Sequence, residues 1–271
     1  MKCYLCGDDI NELIQEGVRA NSGINVLRCT NCGLIWIDSY QINYAENEMC
    51  EIDSSDTMDF ADTKRRFENY WCWFHNSYLL DFGCGKGSLL TKLKEVNCSC
   101  QLAAFEPNKQ FAKYLAENFS LYTTLESIPN DYFYFITLFH VLEHLDDPVN
   151  ILNTLFDKLY VNGRLIIEVP NHADVFNLIY KSEVYRKFIY TPYHKFYFNT
   201  DTLRHLLSKT LFEIEYIKTE QRYELSNHLY WLAKHEPNGH IIWPYLNSLD
   251  YKQKLELLGM GDTLTVVVKK C

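Results

Sequence analysis

Three groups of residues in this 271-residue chain have types and spacings that could do chemistry. The first is Gly83, Gly85 and Gly87, at every second position of the stretch YLLDFGCGKGSLL (Tyr78 to Leu90), just after Asp81. Glycines at a strand-to-helix turn let the backbone take positive φ and come close to a ligand, while the new helix offers its free N–H groups. About 20 residues further on, Glu106 ends the apolar run of LAAFEPN, where a carboxylate can hold both hydroxyls of a ribose. Ser88 stands where the dinucleotide fingerprint has its third glycine, which points to a nucleoside site without a pyrophosphate cradle. A nucleotide-binding domain of other chemistry is the alternative.

The second group is Cys3-x-x-Cys6-Gly7 and Cys29-x-x-Cys32-Gly33, two matching knuckles whose spacing suits a tetrahedral four-thiolate zinc site. Such a site has no open coordination position, so the expected role of the metal is structural. The alternative is four unrelated reduced thiols. Among the other cysteines only Cys98-x-Cys100 is closely spaced, too close for a knuckle.

The third group is His140-Val141-Leu142-Glu143-His144, at the end of the apolar run ITLF. A strand ending near Phe139 places these polar residues at the carboxyl edge of a sheet, where ligands bind in open α/β folds. A histidine there can take a proton from an acceptor, and an adjacent carboxylate can orient and hold the imidazolium. His144 is the candidate general base and Glu143 its partner; the competing reading is that the pair caps the next helix and satisfies buried backbone groups.

The elements that must position these groups follow from periodicity. Phe67, Tyr70, Trp71 and Phe74 recur at helical spacing, predicting a helix from Phe60 to Phe74 whose aromatic stripe faces the core. A second helix runs from the glycine loop to about Val96, a strand covers Gln101 to Phe105, and Asn108 caps a helix through Asn118. Pro148 starts another helix, and Arg164 to Val169 is a strand stopped by Pro170-Asn171-His172. Asn199 caps a helix containing Leu203, Leu206 and Leu207; FEIEYIKT and TLTVVVKK then supply two strands to complete a seven-stranded sheet with an antiparallel edge. The expected fold is α/β: a Rossmann-like, mostly parallel seven-stranded sheet with helices on both faces, plus a small N-terminal zinc-ribbon module. The expected division is residues 1–40 for the module, an acidic linker or lid over 41–59, and the main domain over 60–271. A helical insertion at 222–250 would serve as lid, dimer contact or acceptor recognition element.

Composition narrows the partners. The net charge of −9 argues against a surface that neutralises nucleic-acid phosphates. No signal peptide and no apolar run of about 18 residues is evident, so a cytoplasmic protein without membrane insertion is expected, its ten cysteines reduced or metal-bound. The oligomeric state is not legible.

FHVLEHLDDP and NGRLIIEVPN, taken with DFGCGKG and the cysteine knuckles, resemble the class I S-adenosylmethionine-dependent methyltransferases. Together with the N-terminal four-cysteine module the chain is similar to the zinc-containing methyltransferases of sugar, antibiotic and surface-glycan pathways, over nearly its whole length. The resemblance implies S-adenosylmethionine held by Asp81, Gly83, Cys84, Gly85, Gly87, Glu106 and Pro107, with Phe139 and His140 approaching it. Glu143 and His144 would lie at the methyl acceptor, a small carbohydrate-type or nucleotide-activated molecule. Asn171, His172, Tyr193 and His194 are candidate acceptor contacts, as is Tyr44, for which an ordinary surface tyrosine is the alternative. Where the family often has an acid against adenine, LYTTLESIPN offers only Glu126 and Ser127. The alternatives are a zinc-ribbon-guided RNA or protein methyltransferase and a binding protein without activity.

Overall fold

The structure, a computed structural model, describes residues 1–40, 56–96 and 98–271. Tyr44 and nearly all of the expected linker lie outside the described residues. Strands β1 (Asn11–Gln15), β2 (Val26–Cys29) and β3 (Ile35–Ile37) form an antiparallel sheet at the N-terminus. They are followed by α1 (Asp56–Phe74), β4 (Tyr78–Phe82), α2 (Ser88–Glu95), β5 (Gln101–Phe105), α3 (Lys109–Asn118), β6 (Ser120–Tyr122), β7 (Phe133–Phe139), α4 (Pro148–Lys158) and β8 (Leu159–Pro170). The remaining elements are α5 (Glu183–Ile189), β9 (Phe196–Tyr197), α6 (Thr200–Leu207), β10 (Glu213–Glu220), α7 (Leu225–Lys234), α8 (Gly239–Ile242), α9 (Leu249–Leu257) and β11 (Thr263–Lys269).

The main sheet has seven strands in the order β10-β11-β8-β7-β4-β5-β6. The near-continuous apolar strands LIIEV and TVVV are those of a sheet buried on both faces. The expected antiparallel edge is present, and the pairing orders its two strands. β11 pairs antiparallel with both β8 and β10, so it lies one place in, and β10 forms the edge. Its six buried residues from Thr263 to Val268 explain the placement, since an edge strand would leave part of that apolar run to water. Three boundaries move. α1 starts at Asp56, β8 starts at Leu159, and the helical stretch expected at 222–250 continues to Leu257. In the aromatic stripe of α1, Tyr70 and Phe74 are core, whereas Trp71 is 45% exposed and stacks on Phe67 at 6.0 Å.

The N-terminal sheet gains its fourth strand from far along the chain: β9 pairs with β3, with Phe196 opposite Trp36 and Tyr197 opposite Ile35. Cys3, Leu5, Cys29, Leu34 and Trp36 share one continuous buried cluster with Leu142, Phe196, Phe198 and the core of the main sheet. The cysteine-bearing end therefore braces the segment after α5, which carries Tyr193 and His194. No helix among the described residues is long and apolar enough to cross a membrane.

Candidate functional site

The glycine loop leaves β4 with Gly83, Gly85 and Gly87 all in the left-handed region, at φ 74°, 53° and 76°. At Gly83 a Cβ would lie 2.5 Å from Val141 Cγ2, so only glycine lets this turn pack beneath the His-Glu-His segment. At Gly85 a Cβ would meet nothing within 4 Å: the loop faces open space at its middle residue. Gly83 N and Cys84 N donate to Phe105 O at 2.7 and 3.2 Å, tying the loop to the end of β5. Glu106, fully buried, accepts from Gly85 N and Asn108 N, each at 2.8 Å, one on each carboxylate oxygen. Burial raises its pKa. Asn108 caps α3 by accepting from Gln110 N, leaving Pro107 half-buried between acid and cap. Asp81 accepts from Thr137 Oγ1 at 2.7 Å, and burial pushes its carboxyl up to about 6. The loop, Asp81 and Glu106 thus stand together at the carboxyl ends of β4 and β5, as the spacing predicted.

Phe139 ends β7 beside them, covered by Tyr70 of the aromatic stripe and by Arg66, which sequence reasoning missed. The Arg66 guanidinium lies over its ring at 4.5 Å and Tyr70 stacks on it at 6.3 Å. The buried Glu168, opposite Phe139 in β8, binds Arg65 through both carboxylate oxygens at 3.0 and 2.9 Å and Arg66 Nε at 2.8 Å. Arg65 also pairs with Glu220 and Asp62. The available signal was Glu168 itself, a lone acid in the apolar run LIIEV, which calls for a buried cation. Arg222 was equally missed: its Nε donates to Asp262 Oδ1 at 2.8 Å and its Nη1 to Asp62 Oδ2 at 3.2 Å. The same Nη1 lies 3.3 Å from His140 Nε2.

His140 adopts φ 55° and links the two regions, with its N donating to Glu168 O and its Nδ1 lying 3.3 Å from Glu143 Oε1. Glu143 is 1% exposed. Burial would raise its carboxyl, but the hydrogen bond from His140 and the charges of His144 and His140 hold it down to about 2. His144 Nδ1 lies 2.6 Å from Tyr193 O. A carbonyl only accepts, so Nδ1 carries the hydrogen and the neutral ring has its lone pair on Nε2, 3.9 Å from Glu143 Oε1. His194 packs edge-on against His144 with centroids 4.9 Å apart, and burial followed by the His144 charge lowers it to about 3. Ligand atoms of Glu143, His144 and His194 lie within 4.8 Å of one another, a grouping that could share a proton or hold a cation.

A cavity of about 340 Å³ opens beside this group. Asn171, His172, Tyr193 and His194 line it together with Phe176, Phe188, Trp231 and Arg222. Asn171 has both side-chain ends committed, Nδ2 to Gly261 O at 2.7 Å and Oδ1 to Ala173 N at 2.9 Å. His172 Nε2 lies 2.7 Å from Tyr190 Oη, and burial lowers its pKa to about 4. Arg19, from the N-terminal sheet region, stands exposed at the mouth with its guanidinium 4.7 Å over Phe188.

The four knuckle cysteines converge as their spacing predicted. Cys3 and Cys32 sulfurs are 3.5 Å apart, as are those of Cys6 and Cys29. Tetrahedral zinc with bonds of about 2.3 Å sets its thiolates roughly 3.8 Å apart, so the donor set fits that ion.

A methyltransferase-domain family model matches residues 60–260. Among solved structures, a methyltransferase dependent on S-adenosylmethionine (SAM) from Archaeoglobus fulgidus is 22% identical with a TM-score of 0.53, covering 79% of this chain and 94% of its own. One from Thermotoga maritima, described as a possible histamine N-methyltransferase, is 18% identical at 0.54, covering 83% and 96%. Coclaurine N-methyltransferase, solved with N-methylheliamine and SAH, is 13% identical at 0.51, covering 80% and 75%. No curated protein sequence matches the chain.

Proposed function

The chain belongs to the methyltransferase-domain family and is an S-adenosylmethionine-dependent methyltransferase, and from that premise we propose what its residues do. The acceptor is a small carbohydrate-type or nucleotide-activated molecule, of the kind used in capsule, surface-polysaccharide and related glycan synthesis. S-adenosylmethionine supplies an electrophilic methyl group on a sulfonium. Glu106 would hold its ribose hydroxyls, and the loop from Gly83 to Gly87, with Asp81 beneath, would bear its methionine end. Gly85 fits this role because the space above it is open.

The acceptor would enter the cavity beside His194. Aromatic faces from Tyr193, Phe188 and Trp231 suit the C–H surface of a sugar ring, and Arg19 at the mouth suits an anionic group such as a phosphate. The single observation that carries the mechanism is the fixed tautomer of His144. With Nδ1–H on Tyr193 O, Nε2 is the basic atom, and the buried Glu143 carboxylate at 3.9 Å favours the imidazolium that forms when Nε2 takes the acceptor's proton. His144→Ala tests it: turnover should fall about 100- to 10,000-fold while S-adenosylhomocysteine still binds. Undiminished turnover with normal cofactor binding would remove His144 as the base.

The four cysteines would hold a structural zinc ion outside the chemistry, its effect reaching the site through the pairing of β3 with β9.

A further inference from the structure

Both ring nitrogens of His140 are turned to the protein. Nε2 lies 3.3 Å from Arg222 Nη1, and the arginine is clamped: its Nε donates to Asp262 Oδ1 at 2.8 Å, its backbone N to Asp262 Oδ2 at 2.9 Å and Nη1 to Asp62 Oδ2 at 3.2 Å. A guanidinium has hydrogens to give and no lone pair to accept with, so one Nη1 hydrogen goes to Asp62 and the other to His140 Nε2. Nε2 therefore keeps the lone pair, and the hydrogen of the neutral ring sits on Nδ1.

That hydrogen faces Glu143 Oε1, which lies 3.3 Å from Nδ1. Glu143 is 1% exposed and its Oε2 has no hydrogen-bond partner among the described residues, so what holds the carboxylate acts on Oε1. The same Oε1 is the atom 3.9 Å from His144 Nε2. Burial alone would raise the Glu143 carboxyl, and the hydrogen bond from His140 leads the effects that keep it ionised. His140 is itself fixed at the end of β7 by its φ of 55° and by the bond from its N to Glu168 O at 2.9 Å.

We propose that His140 is a positioning residue: Arg222 sets its tautomer, and its Nδ1–H holds the Glu143 carboxylate beside His144 Nε2. The proposal rests on the reading of His144 as the base, and it separates the two histidines of the segment. The lone pair of His140 is taken by Arg222, so this ring cannot receive the acceptor's proton, whereas the basic atom of His144 is the Nε2 beside Glu143.

The test is long-range proton–nitrogen correlation NMR of the full chain labelled with the heavy nitrogen isotope, which reads the tautomer of each of the nine histidines. His140→Gly and His140→Asn both accept the left-handed φ of 55°, but only asparagine restores an N–H near the place of Nδ1. In the wild type at pH 7 the His140 hydrogen should be found on Nδ1, against the Nε2–H form that free histidine prefers in water. The His144 Nε2 signal should shift toward the lone-pair end of its range in His140→Gly, and His140→Asn should restore most of that shift. A hydrogen on His140 Nε2, an unmoved His144 signal in the glycine variant, or an equal shift in both variants would each overturn the proposal. The wild-type tautomer decides even where a variant fails to fold. Because these signals need no acceptor, unaffected turnover in His144→Ala with the His140 tautomer and rescue as expected would count against the base reading alone.

Discussion

Replacing Glu168 with Gln perturbs a buried carboxylate that joins α1 to the sheet beside Phe139. The wild-type side chain is fully buried and accepts two hydrogen bonds from Arg65 and one from Arg66. Glutamine keeps an oxygen at Oε1, facing Arg65 Nη1, but sets an NH2 against Arg65 Nη2 and Arg66 Nε. Two charge-assisted bonds are lost, and two donors then face a donor. Breaking a buried pair from one side costs about 3–5 kcal/mol. Arg65 keeps Glu220 and Asp62, which places the expected loss near the lower end. Urea unfolding at pH 7.5 measures it. The pH dependence supplies an independent check: burial would raise the Glu168 carboxyl, but Arg66 and Arg65 hold it far below its usual range. A depressed folded-state pKa gives stability that is complete above the unfolded value of about 4.5 and lost as pH falls below it. The gap between wild type and Glu168→Gln should therefore be constant from pH 8 to 5 and narrow beneath 4.5. A loss smaller than about 1 kcal/mol, or a gap that does not narrow in acid, would refute the argument.

Metal analysis should find one zinc per chain. Its removal, or Cys29→Ser, should loosen β9 and the Tyr193–His194 segment, lowering turnover by about a hundredfold while S-adenosylhomocysteine affinity holds; an equal loss of both would place the module elsewhere in the mechanism. His228 is buried and neutral, lowered by desolvation to about 4, so between pH 6.5 and 4 the unfolded chain binds a proton that the folded chain refuses. Stability then declines as pH falls through that window, at about 1.4 kcal/mol per pH unit for one group. His228→Gln should remove that slope, and parallel wild-type and variant curves between pH 7 and 4.5 would show the histidine to be indifferent to pH.

The parts of the site legible in the sequence are those made of short-range spacing. Gly83 to Gly87, the carboxylate of Glu106 and the cap at Asn108 lie close together along the chain, and turn and cap chemistry is written in consecutive residues. The two cysteine knuckles are legible for the same reason. What escaped depends on pairing across long stretches. Nothing local announces that Arg65 and Arg66 meet Glu168, or that Phe196 and Tyr197 complete the sheet begun by Asn11. The apolar run TLTVVVKK shows a buried strand but not its neighbours, so its place between β8 and β10 had to come from the fold. His172 and His194 were legible as histidines near a sheet edge, yet their lowered pKa values come from burial by distant helices and strands, which spacing does not reveal.

The central claim is that the loop from Gly83 to Gly87 is the seat of S-adenosylmethionine. Calorimetric titration of S-adenosylhomocysteine into wild-type protein and Gly85→Asp tests it most directly. A Cβ at Gly85 meets no protein atom within 4 Å, and Asp is among the residues that tolerate its left-handed φ of 53° at modest strain, so the variant should remain folded while its carboxylate enters the cofactor's space close to Glu106. The account predicts one equivalent bound by the wild type and at least about a hundredfold weaker binding by the variant, from lost space and added like charge. Normal affinity in a folded Gly85→Asp, or no binding by the wild type, would contradict it.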